Sequence, residues 1–192
     1  MKHLAKLNMI TMLKSLLILS LFITINTSAQ NYKPVDSGSK VHFVIKNFGI
    51  ATGGDLSGTQ GTILFLPDSL AGCSFDVTVA ASTVNTDNVM RDKSLTSDEY
   101  FDATKYPVLR LVSTKIAKTN KTDSGFYYFT GNLTIKGITK TITFPFHADK
   151  INDGYQFTGN FDIDRIEYGV GEKSMVLSDK VAVYLKIAAK KN

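Results

Sequence analysis

Apolar residues fall at every second position along most of this chain, and that alternation restricts its fold more than any other feature. Val41, Phe43 and Ile45 alternate with Lys40, His42, Val44 and Lys46, and Phe75, Val77 and Val79 with Ser74, Asp76 and Thr78. Ile142, Phe144 and Phe146 share one parity; Phe157, Phe161 and Ile163 share another, with Gly159 between them. Val181, Val183, Leu185 and Ile187 close the series. Side chains two apart on an extended chain point to the same face, so each run reads as a strand with one buried face. Further strands are expected around 50–58, 61–66, 108–117 and 126–136.

Compact polar turns separate the runs: 67–72, 120–125 and Asn152-Asp153-Gly154. Short turns make successive strands antiparallel neighbours. Many such strands must stack as two sheets or close on themselves, and sequential hairpins favour closure, which removes exposed edges. The expected fold is therefore all-β: one eight-stranded antiparallel up-and-down barrel over residues 35–190. Residues 86–106 break the alternation, and Thr96 with Glu99 matches a capping box. Two short helices are expected there, ending before Pro107. An eight-stranded barrel is just wide enough to be filled by side chains or to hold one small ligand. Its Phe-, Val-, Leu- and Ile-rich inner face suits either.

The first 29 residues have another character. Lys2, Lys6 and Lys14 precede an apolar run from Leu16 to Ile25, and small residues follow at Thr27-Ser28-Ala29. The run falls short of the ~20 apolar residues that span a bilayer, and the pattern is that of a cleaved secretory signal peptide. The mature chain is expected to start near Gln30, as a single domain over 30–192 with no stable membrane span. Three of the charges behind the net +5 lie in this leader. The remaining lysines are dispersed except for Lys186, Lys190 and Lys191, so nothing points to nucleic acid. Cys73 is the only cysteine and cannot close a bridge within the chain.

No catalytic constellation is visible. Outside the leader the histidines are His42 and His147, in no metal-ligand spacing. No G-x-S-x-G elbow or phosphate-cradling glycine loop occurs. No enzymatic activity, metal or cofactor is expected.

The segment from Asn85 to Leu95, with Tyr100-Phe101-Asp102 and Lys105-Tyr106-Pro107 after it, resembles the YceI-like family of exported barrels. Val41 to Gly49, Gly131 to Lys140, and Arg165 with Tyr168-Gly169-Val170-Gly171 agree with that family in order. The resemblance implies a lipocalin-like barrel with an elongated apolar tunnel that binds a long isoprenoid, polyprenyl or quinone-like, without covalent attachment. It also implies a periplasmic or secreted protein; a homodimer is left open. The family usually carries His where this chain has Ser94. Lining candidates are Phe43, Phe65, Phe75, Val77, Leu109, Leu111, Phe144, Phe146 and Phe161, with Phe101 as a lid. Arg91, Asp92 and Arg165 are candidates for a headgroup contact at the mouth; for the first two a structural role is favoured, Asp92 capping a turn and Arg91 in an ion pair to another loop, and Arg165 is ambiguous in the same way. The competing function is that of an envelope or stress-related structural protein whose barrel is filled and which acts through its surface.

Overall fold

The computed structural model describes residues 30–120 and 124–192; the leader expected at 1–29 lies outside the described residues. Nine strands form: β1 (Asn31–Asn47), β2 (Ile50–Leu56), β3 (Gln60–Leu64), β4 (Ser74–Ala80), β5 (Val108–Lys118), β6 (Phe126–Ile135), β7 (Ile138–Ile151), β8 (Gly154–Asp164) and β9 (Leu177–Lys191). Every pairing is antiparallel, and β1 pairs with β9 from Tyr32–Lys191 to Asn47–Leu177, which closes the sheet.

The barrel has eight staves. β2 and β3 both run antiparallel to β1, with Val41 opposite Leu56 and Tyr32 opposite Ile63, so they are two pieces of one broken stave. The break at 57–59 faces a register shift in β1 between Val35 and Lys40. The Asp36 carboxylate spans it, accepting from the amides of Gly58 at 3.1 Å and Thr59 at 2.6 Å. These bonds to the charged form hold its pKa below the usual carboxylate value.

Two hairpin turns have both central residues at positive φ, Phe48-Gly49 at 50° and 77° and Lys136-Gly137 at 48° and 76°. Primed turns of this kind match the twist of the flanking strands. Glycine suits the second position; Phe48 and Lys136 are less usual at the first.

The insertion between β4 and β5 holds one helix, α1 (Val89–Thr96), rather than two. Asn88 caps it, its side chain accepting from the Arg91 amide at 3.0 Å. Thr96 is the last helical residue, so the expected capping box marks an end, not a start. Tight turns stabilised by Ser97 and Asp102 carbonyls follow instead. Single 3-10 turns at Leu70–Gly72, Ala81–Thr83 and Ile166–Tyr168 lie in the connections.

The inward faces divide the barrel into two halves. At the end where β1 starts and β9 finishes, Phe65 is almost fully buried and stands edge-on to Phe157, Tyr155 and Tyr127 at centroid separations of 5.1 to 5.3 Å. Phe75 and Phe146 pack above them. Such edge-to-face pairs add ~0.5–1.5 kcal/mol each beyond area burial. This end is a plug. The other end is hollow.

Candidate functional site

The hollow end encloses a cavity of about 540 Å³, within the range of small-molecule sites. Alternation along each strand builds its wall. Val41, Phe43 and Ile45 of β1 face in, as do Val77 and Val79 of β4, Leu109 and Leu111 of β5, and Phe161 and Ile163 of β8. Several of these, among them Phe43, Val77, Leu109, Leu111, Phe161 and Leu185, are only partly buried although they point to the barrel interior. Their free surface faces the cavity. Phe75, Phe146 and Phe157 form the floor above the aromatic plug. Gly159 leaves room for the wall to close, since a Cβ there would meet the Phe144 ring at 3.0 Å.

The mouth lies where β1 ends and β9 begins. Asn47, Thr52 and Leu177 reach it from the strands, and Met90, Arg91, Ser94 and Leu95 from α1. Phe101, from the segment after the helix, is buried and borders the cavity. That segment is tied to the opposite rim: Lys136 Nζ donates to the carbonyls of Glu99 and Gly169, and the Gly171 amide donates to Glu99.

Of the sequence-predicted residues, Phe43, Phe75, Val77, Phe101, Leu109, Leu111, Phe144, Phe146 and Phe161 border the cavity. Phe65 does not. It lies in the plug beneath the floor, where its ring is surrounded by others. Phe129, Leu133, Val183 and Leu185 also line the wall; Val183 and Leu185 belong to the alternating run of β9.

The mouth charges serve the fold. Arg165 is 3 % exposed and directs its guanidinium at the carbonyls of Val170, Glu172 and Ser178, all within 2.9 Å, and at Asp179 at 3.4 Å. It clamps the loop before β9. Asp92 Oδ1 accepts from both the amide and the hydroxyl of Thr86 and does not border the cavity. Arg91 donates Nε and Nη2 to the hydroxyl and carbonyl of Thr86, yet its side chain still borders the cavity. Arg165 borders the cavity as well, but its donors are taken up by the loop carbonyls and Asp179.

The remaining reactive groups are quiet. Cys73 is half-buried, which raises its thiol pKa, and its Sγ accepts from the Leu66 amide at 3.1 Å. His42 pairs with Asp55 and His147 with Asp149. Among the described residues no three His, Cys, Asp or Glu side chains converge as metal ligands, and no helix is long and apolar enough to cross a membrane.

A closed barrel with an apolar hollow and a helical rim is a fold shared with known proteins. The YceI-like domain matches residues 32–189. The chain belongs to the YceI-like family. It is 31 % identical to a UPF0312 protein of Pectobacterium atrosepticum over 122 residues, 63 % of this chain and 60 % of that one. It is 32 % identical to Protein YceI of Shigella flexneri over 118 residues, 60 % of each. The chain thus spans about 60 % of the length of these relatives. Among solved structures, Burkholderia cenocepacia BcnA superposes with a TM-score of 0.71 at 26 % identity, covering 78 % of this chain and 94 % of that one. A polyisoprenoid binding domain from Saccharophagus degradans superposes with a TM-score of 0.65 at 13 % identity, covering 84 % and 98 %, a likeness of fold. Ser94 sits on α1 at the cavity mouth, its hydroxyl donating to the Met90 carbonyl at 3.1 Å.

Proposed function

We propose that this YceI-like protein binds a long-chain isoprenoid lipid, polyprenyl or quinone-like, non-covalently in its lumen, and carries or stores it in the bacterial periplasm without chemical conversion. One observation carries the reading: apolar side chains that point into a closed barrel keep free surface around a cavity of about 540 Å³. Water in such a space gains few hydrogen bonds, and an apolar chain replaces it favourably. Each five-carbon unit withdrawn from water contributes ~3–4 kcal/mol, at ~0.8 kcal/mol per carbon group. Ordering the chain and losing its free motion offset a large part of that. A few units therefore bind usefully with no charged anchor, which agrees with Arg165 and Asp92 being committed to the fold. The name of the Saccharophagus degradans domain supports the same ligand class.

The filled-barrel reading has the aromatic plug in its favour, but the plug occupies one half only. Lipid extraction and mass spectrometry of protein purified from its native envelope test the proposal. A bound isoprenoid is expected, and added polyprenol or quinone should raise the melting temperature of delipidated protein. Protein that carries no lipid and never responds to isoprenoids would leave the filled-barrel reading in its place. N-terminal sequencing near Gln30 and recovery from the periplasmic fraction test the location.

A further inference from the structure

The mouth is ringed by side chains that a water-facing surface would not be expected to cluster. Phe48 and Ile50 on the β1–β2 turn are 73 % and 71 % exposed, Val89 and Met90 on α1 are 83 % and 76 %, and Met175 on the loop before β9 is fully exposed beside Val176. The three segments border one opening: Asn47, Met90 and Leu177, each within two residues of these, line the cavity. The Phe48 amide also donates to the Val176 carbonyl at 2.8 Å, joining two of them. The other exposed large apolar residues among the described ones, Val108, Tyr128, Ile138 and Tyr184, are 41 to 49 % exposed and each lies on a different strand; scattered exposure of that kind is ordinary on soluble proteins.

Phe48 adds a second, independent sign. It occupies the left-handed backbone region at φ 50°, in a turn position that ordinarily takes Asn, Asp or Gly. A bulky aromatic held there, with its ring in solvent, gains nothing for the fold. Lys46, Lys93 and Lys173 stand on the same three segments, exposed and outside any ion pair among the described residues. Asp87 and Glu172 on these segments, and the exposed Asp98, Glu99 and Asp164 on the neighbouring mouth segments, offset their charge, so the apolar side chains lead. Apolar tips with lysines set behind them suit the boundary between lipid headgroups and acyl chains.

We propose that the mouth end docks on a lipid bilayer surface, with Phe48, Met175 and Met90 inserted at the acyl boundary, so that the opening of the lumen faces the membrane. Continuity with the apolar cavity selects this occupant: a lipid passing from bilayer to lumen would never cross water. The proposal rests on the lumen reading for its purpose but not for its test.

The experiment is flotation of the full mature chain with vesicles of phosphatidylcholine, with and without phosphatidylglycerol. Wild-type protein is expected to float with both, more with the anionic lipid, and high salt should remove only that excess. Phe48→Asn with Met175→Ser should weaken partitioning by at least about tenfold. The melting temperature should hold or rise, because Asn tolerates the left-handed turn. Wild-type protein that stays unfloated, or a double variant that floats equally, would overturn the docking. So would a dimer in solution that the double variant dissolves, since a second copy would then cover the rim. Lipid delivered from ethanol separates the two readings. Loading without flotation sinks the docking alone, whereas flotation without loading supports the docking and counts against the lumen.

Discussion

The Phe65 ring stands edge-on to Phe157 with centroids 5.1 Å apart and planes at 85°, and this contact marks the level at which a packed barrel becomes a hollow one. Below it the rings of Tyr127 and Tyr155 fill the space; above it Phe157 turns toward the cavity. Phe65→Ala should therefore cost ~3–5 kcal/mol, the range for deleting a buried aromatic. Urea unfolding measures it. The same deletion deepens the lumen, so a longer isoprenoid should recover part of the lost stability and a short one should not.

Arg165 makes five hydrogen bonds to the loop before β9 and to the first residues of that strand. Its guanidinium reaches carbonyls on both sides of the 170–178 segment, and no neutral side chain can supply donors in that fork. Arg165→Met should cost on the order of 3 kcal/mol, since buried carbonyls lose their partners. Arg165→Lys should recover little of it, because an ammonium is a point charge rather than a planar fork. Thermal unfolding compares the two. A lysine variant as stable as wild type would mean that the charge, not the fork, holds the loop.

Asp36 gives the protein an acid-sensitive seam. Its carboxyl is held below the usual value chiefly by the Thr59 amide, with the Gly58 amide assisting, where the second stave is broken. A carboxyl with a depressed folded pKa adds stability above its unfolded value, ~3.9 for Asp, and loses it as pH falls through the folded value. Asp36 is exposed, so its share is about 1 kcal/mol at most. Asp36→Asn should lower the melting temperature at neutral pH by a few degrees, and the gap should close below about pH 4. Asp76, held low by Arg110, loses its own contribution over the same acid range in both proteins.

The alternation of residues carried the barrel because one face of every strand is buried, and a slip by one residue would invert it. It placed Val41, Phe75 and Phe144 inward without any tertiary information. Depth along the axis is another matter. Phe65 and Phe75 carry the same local signal, yet one lies in the plug and the other on the cavity floor, because depth depends on how far each strand is staggered around the barrel. Phe129 was hidden for a different reason: the run Phe126-Tyr127-Tyr128-Phe129 is aromatic on both parities, so period two gives no direction there. The capping box at Thr96 failed because a Ser- and Thr-rich stretch matches such a signature at helix ends and starts alike. Separate strands around 50–58 and 61–66 were legible, but not that they form one stave, since the break faces a register shift in β1 and is stapled by Asp36 across more than twenty residues of chain.

The last prediction decides whether the lumen is a cavity in use or a packing defect. Phe144 is a poor probe, because its ring is stacked on Phe129 at 5.0 Å and lies against Phe161 at 4.7 Å, so any change there disturbs packing and lining together. Val77 is better. It faces the hollow, opposite Leu111 on the neighbouring strand, and both are only partly buried. In a filled core, Val77→Phe would overpack and cost ~1–3 kcal/mol. In a hollow one the added ring enters empty space, so the stability of delipidated protein should hold or rise. Isoprenoid occupancy should fall at the same time, since the ring takes volume from the ligand. Paired measurements of unfolding free energy and lipid content of wild type and variant read both effects. Lost stability with unchanged lipid content would count against the lumen as the binding site.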